Sequence, residues 1–279
     1  MTEDSSNRDY TGHVPVLTIQ GRTLPEAWEK SVLAAWEQGV RVPTEYDKPG
    51  DPPSRDTTMI VVVDEPLCEP RIHRAFPAGL AELEVYRQEV ISGVHDHWID
   101  PDAGKWTYTY HKRLCGYETE GQTIDQIAYM VDRLARDTCT RRANAITWNV
   151  ALDPPTDDPP CLQRLWARII TTPDGELVFN FNTHWRSRDA YKAAFMNMFA
   201  FTDLQRVMAQ SLSEKIGKPV TVGRYCDISD SYHIYGSYFT EFEGFLQLVK
   251  KRSFEDRTWH TEFAESFFEE ARQRIKDEK

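Results

Sequence analysis

The feature that most constrains this chain is a set of strand-like runs placed among long helical patterns. Leu162 to Thr171 and Glu176 to His184 are rich in β-branched and aromatic residues. Pro173-Asp174-Gly175 between them is a turn sequence, which predicts an antiparallel hairpin. Thr58 to Val63, Ala143 to Trp148 and Val220 to Ser229 read as further strands. Apolar residues at helical spacing predict helices over Pro25 to Gln38 and Thr123 to Arg136, and Leu80 to Ile91, ending near Gly93, and Leu204 to Ile216 also read as helices. Gly217 stands just past the last of these, where a left-handed cap belongs. Two closing helices are expected at Tyr238 to Lys250 and Thr261 to Lys276, the second of them polar and solvated. Pro43 to Arg55, rich in Pro, Gly and Asp, reads as a loop. Strand pairs mixed with long helices predict an α+β fold built on one large sheet. No linker divides the 279 residues, so a single domain is expected, with residues 1–12 a frayed polar tail.

Charge and cysteine usage narrow the function classes. A net charge of −11 argues against general nucleic-acid binding, because phosphate backbones attract basic surfaces. No apolar run reaches the roughly 18 residues of a membrane helix, and the N-terminus lacks the basic and apolar parts of a signal peptide. The cysteines are Cys68, Cys115, Cys139, Cys161 and Cys226, an odd number, widely spaced and without a C-x-x-C. That pattern argues against a disulfide framework or a metal site and suits a reducing cytoplasm.

Four segments carry chemistry. Ile124-Asp125-Gln126-Ile127 leads to Arg141-Arg142-Ala143 and Thr147-Trp148-Asn149. Pro159-Pro160-Cys161 follows, then Arg186-Ser187-Arg188-Asp189 with Asn197, then Ser229-Asp230-Ser231-Tyr232-His233-Ile234-Tyr235. Alone, Cys161 reads as a buried structural cysteine, and His233 with Tyr235 as an ordinary pair on one face of a strand. In this order and spacing the four resemble the thymidylate synthase and pyrimidine-nucleotide hydroxymethylase family. The resemblance covers about Ser54 to Gly236. It implies that family's three-layer fold, with a large mixed sheet flanked by helices and a divergent C-terminal part over residues 237–279.

The resemblance implies roles residue by residue. Cys161 would be the thiolate that adds to C6 of a pyrimidine and makes C5 nucleophilic. A cluster of arginines would lower its pKa. Arg55 (in what looks like the phosphate loop), Arg141, Arg142 and Arg186 would hold the nucleotide phosphate with Ser187. In the family the double arginine reaches the partner's site, which implies a homodimer with shared sites. His233 and Tyr235 would hold the sugar. Asn197 would read the base, pairing with uracil or, flipped, with cytosine. Glu89 is the expected proton-managing glutamate, with Glu82 on nearly the same helix face as the alternative. Tyr110 resembles the tyrosine lining the nucleophile site and Asp189 the aspartate facing the folate pterin. Either could instead act from behind the site.

Departures from the common pattern shape the expected reaction. Leu162 follows the nucleophile where most members have His, and WTYTYHKRL (Trp106 to Leu114) and SDSYHIYG look like the hydroxymethylase branch. Within it the chain is most similar to the cytidylate 5-hydroxymethylases of nucleoside-antibiotic pathways. The implied reaction uses 5,10-methylenetetrahydrofolate to hydroxymethylate CMP or dCMP. Methylation of dUMP remains the alternative. So does a non-catalytic nucleotide- or RNA-binding regulator that keeps the fold.

Overall fold

A computed structural model describes residues 12–278. The expected frayed tail lies, save for Gly12, outside them. The chain opens with β1 (Val16–Gly21), α1 (Leu24–Gln38), β2 (Val40–Val42), β3 (Ser54–Val63), β4 (Ile72–His73) and α2 (Leu80–Ser92). Next come α3 (Tyr110–Cys115), the ribbon of β5 (Tyr117–Thr119) and β6 (Gln122–Ile124), and α4 (Gln126–Arg136). The central part is β7 (Asn144–Ile146), β8 (Leu162–Thr171), β9 (Leu177–Trp185), β10 (Arg188–Asp189), α5 (Ala194–Ile216) and β11 (Val220–Ile234). The chain closes with α6 (Phe239–Lys251), β12 (Thr258–Trp259) and α7 (Thr261–Asp277).

Eight strands form one mixed sheet with the order β1-β3-β11-β9-β8-β7, β2 adding to β3 and β10 to β11. β8 and β9 are the expected antiparallel hairpin, while β9 and β11 run parallel because α5 crosses over between them. One face of the sheet, with Met59, Val61, Phe179, Phe181, Trp185 and Tyr225, is wholly buried. Helix α5 fills it: Phe201 meets Trp185 edge to face at 5.6 Å, and the Gln205 amide donates to the carbonyls of Phe179 and Gly223. Trp28 of α1 locks the same layer, packing on Phe195 and Phe245 and donating its indole N–H to Ala190. The opposite face carries Ile60, Val62, Trp166, Val178 and Ile228, all half-buried.

Several expectations change at the boundaries. Helix α5 begins ten residues before Leu204, because its first turns are buried all round and show no amphipathic period. Helix α4 begins at Gln126, where Asp125 caps it by accepting from Ala128 N–H, and Thr123 belongs to a strand. Ser54 and Arg55, expected in a loop, open strand β3. β11 runs past Ser229 to Ile234 through a register shift between Ser229 and Tyr232. Gly217 does cap α5, with φ 73°. Helix α7 is not simply solvated: Ala264, Phe268, Ala271 and Ile275 bury one stripe, and Arg272 reaches buried Glu84 on α2.

Candidate active site

The site grows from the open ends of β8 and β9. Leu162 pairs with Trp185 across the hairpin, so Cys161 just before β8 stands beside Arg186 just after β9. The Arg186 N–H donates to the Cys161 carbonyl at 2.9 Å. Its guanidinium donates to the carbonyls of Pro160 at 3.1 Å and Pro159 at 2.6 Å. The two prolines have no backbone N–H, and this clamp fixes the Pro-Pro-Cys turn from outside. Leu162 points into the core with no exposed surface, so it cannot touch a substrate.

Two cavities lie near Cys161, which lines neither. The first, about 410 Å³, is lined by Tyr86, Glu89, Trp106, Tyr108, Tyr110 and Asp158. The second, about 270 Å³, is lined by Tyr46, Asp56, Ser187, Ser231, His233 and Tyr235, among others. The phenols of Tyr108 and Tyr110 in the first cavity and of Tyr235 in the second all lie within electrostatic reach of Cys161. The Tyr110 hydroxyl also accepts the Leu162 N–H at 3.4 Å. Asn197 projects from α5, and its side-chain amide donates to the Tyr86 hydroxyl at 2.5 Å. Glu89 faces the first cavity, whereas Glu82 is exposed in the first turn of α2.

Electrostatics departs from expectation at the nucleophile. Burial pushes the Cys161 thiol up, Arg186 and Arg188 pull it down, and Asp158 pushes it up again. Burial wins, so within one chain the thiol sits above its ordinary value and not below it. The expected arginine cluster is not assembled in one chain. Arg55 packs over Trp36 and reaches the Gly39 carbonyl, because alternation along β3 turns it away from Ser54 and Asp56. Arg141 and Arg142 are exposed, and Arg142 borders a different hollow with Tyr129 and Arg133 on α4.

Asp189 accepts from the backbone N–H of Tyr191 and Lys192, and burial raises its carboxyl to about 6. His233 is lowered to about 4 by burial, with its Nδ1 3.1 Å from the Ser231 hydroxyl. That hydroxyl donates in turn to Asp56, and His233 and Tyr235 meet at 4.5 Å.

The motifs missed several lining residues. Tyr86 lies one turn before Glu89 on α2, and Tyr108 alternates with Tyr110, so both were open to a spacing argument. Asp56 faces His233 only through the β3–β11 register, which the sequence does not display. A further cavity, about 1000 Å³, lies beside the β5–β6 ribbon and holds none of the expected site residues.

Comparison with known proteins gives a consistent picture. Residues 81–267 match the family model described as Thymidylate synthase. A "Putative thymidylate synthase" of Methanothermobacter thermautotrophicus is 32% identical over 233 residues, covering 81% of this chain and 96% of that protein. Another protein of that name, from Methanococcoides burtonii, is 25% identical over 232 residues, covering 83% and 95%. The thermostable thymidylate synthase A from Bacillus subtilis superposes with a TM-score of 0.56 at 17% identity, covering 79% of this chain and 83% of that one. That last likeness shows the fold.

Proposed function

Because the chain belongs to the thymidylate synthase family, we propose that it transfers a one-carbon unit to C5 of a pyrimidine nucleoside monophosphate. The observation that carries this reading is a cleft lined by Tyr86, Glu89 and Tyr110, with Asn197 bonded to Tyr86 behind it and Cys161, clamped by Arg186, near Tyr110. The finer reading is hydroxymethylation of CMP or dCMP. Glu89 and the hydroxyls of Tyr86, Tyr108 and Tyr110 make a cleft wall suited to keeping a water beside C5.

The chain's own groups suit each step. Cys161 adds to C6, and that addition makes C5 an enamine-like carbon able to take a one-carbon electrophile. Asn197, its amide nitrogen tied to Tyr86 of the cleft wall, is the proposed reader of the base. Ser187, His233 and Tyr235 line the sugar side. Glu89 passes protons at the base and C5, and release of Cys161 ends the cycle. When bound, 5,10-methylenetetrahydrofolate supplies the one-carbon unit. His97, Trp98, Lys105 and Trp106 border a groove of about 530 Å³ next to the cleft, with flat rings for an aromatic cofactor and a cation for its carboxylates. Asp189 is the proposed contact to the pterin.

The same reading includes a homodimer. The second face of the sheet is half-buried and carries Trp166 and Ile228, which suits a second copy. Arg141 and Arg142, idle at their own nucleophile, are then free to serve the partner's phosphate. Arg55 would join them only by leaving Trp36. No helix among the described residues is long and apolar enough to cross a membrane. We place the enzyme in the cytoplasm, in nucleoside-antibiotic biosynthesis.

Product mass spectrometry tests the proposal. The enzyme and methylenetetrahydrofolate are mixed with equimolar CMP, dCMP, UMP and dUMP. The expected product gains CH2O on a cytidine nucleotide and names the sugar. A gain of CH2 on dUMP would make the enzyme a methylating one. Nucleotide bound without any product would leave a non-catalytic nucleotide-binding protein.

A further inference from the structure

We propose that His95 is a positioning residue, which holds the Glu89 carboxyl in one orientation toward the cleft and shares its proton. The inference rests on the reading of Glu89 as the proton-managing group. It adds a second residue that no motif of the sequence marks.

Helix α2 ends at Gly93, which takes the left-handed conformation with φ 59°. The chain therefore turns back at once, and His95 lands behind Glu89. The His95 Nδ1 is 2.6 Å from the Glu89 Oε1, a hydrogen bond across a single shared hydrogen. The imidazole is 4% exposed, so little water competes for that bond. Its plane is fixed too: it lies flat on Trp98, with ring centroids 3.6 Å apart and planes 8° apart, and Trp106 abuts it edge-on at 6.0 Å. A ring held on one face by a tryptophan and on one edge by a carboxylate has a single orientation. The other nitrogen, Nε2, has no hydrogen-bond partner, and its nearest carboxylate is Glu278, at 3.6 Å. An imidazole kept for packing alone would not need its one strong bond aimed at a carboxyl of the cleft.

His95 does not line the cleft, whereas Glu89 does, so it acts through Glu89 and not on a nucleotide. The consequence is a set proton position. Burial pushes the Glu89 carboxyl up, and His95 pulls it back. Tyr86, Lys105, Tyr108, Tyr110 and Asp158 share the same cavity, and Glu278 faces the far side of the imidazole. The His97 ring lies 6.3 Å from that of His95, and all of these groups are common to the variants, so their comparison isolates the His95 substitution.

The experiment follows the Glu89 carboxyl by 13C NMR, its signal assigned by loss in Glu89→Gln, in the full-length wild type, His95→Phe and His95→Gln. Phe keeps the stack on Trp98 and loses the hydrogen bond, while Gln keeps a donor. The expected midpoint of Glu89 rises by about one pH unit in His95→Phe and by less in His95→Gln, since losing a donor to the charged form raises a carboxyl. The acid limb of kcat should move the same way, with nucleotide KM changed less than about twofold, because only the protonation of Glu89 is altered. An unmoved Glu89 midpoint in both variants overturns the proposal, even if the wild type turns over cytidylate. A wild type that makes no product, with the midpoint still shifted, would overturn the catalytic reading while upholding the pair. Should His95→Phe fail to fold, His95→Gln against wild type decides.

Discussion

At the residue scale the proposed nucleophile, Cys161, stands where the ends of two strands meet. Pro-Pro-Cys and the Arg-Ser pair are short motifs, and the β8–β9 hairpin brings their ends together. Asp56 and Ser231 were not legible, because their approach to His233 depends on strand register and a shift in β11. Cys161→Ala is expected to abolish product while nucleotide affinity falls less than about threefold, since covalent addition and phosphate binding use different groups. Isothermal titration beside product analysis checks both halves. His233 supplies a pH prediction. Its folded value of about 4 lies below the unfolded one, so its contribution to stability is full above the unfolded value. It is lost as pH falls from about 6.5 toward 4. Urea unfolding across that range should show the loss in wild type and less of it in His233→Gln. Asp189, raised to about 6, slopes the other way between about 4 and 6, because the native state binds its proton more tightly. Asp189→Asn separates the two.

At the scale of elements, segments bounded by clear stop or turn residues could be read and the fully buried or locally interrupted ones could not. Helix α2 and the β8–β9 pair fell within a residue or so of their observed bounds. The first half of α5 escaped because every residue from Phe195 to Phe201 except half-buried Met196 is buried, which erases the polar face that periodicity needs. Helix α7 misled for the opposite reason: a narrow stripe of four apolar residues holds it, and the rest is charged. That stripe meets α2, the helix that carries Glu89. Phe268→Ala should therefore cost about 3–5 kcal/mol, as for other fully buried aromatics. Hydrogen exchange is expected to rise over α7 and α2 before the sheet. Protection unchanged in α2 would show that the two helices are not coupled.

At the scale of the whole molecule, the positions of Arg141 and Arg142 make a dimer part of the proposed chemistry. Mixing a Cys161→Ala chain with an Arg142→Ala chain should restore activity to about a quarter of wild type, because half the random dimers are mixed and each holds one intact site. Neither variant alone should exceed a few per cent of that level. Activity kept by Arg142→Ala alone would place the phosphate on other groups. Trp166→Glu on the uncovered sheet face should give monomers in sedimentation velocity and no product. The same arrangement bears on how the chain survives its own synthesis. Burial keeps the Cys161 sulfur protonated in a single chain, with only Arg186 and Arg188 to oppose it. A chain newly released and not yet paired thus carries a thiol that oxidants and alkylating agents find sluggish, since these react with the thiolate. Under the shared-site reading, the charge that wakes the sulfur arrives with the second subunit, and assembly itself arms the enzyme.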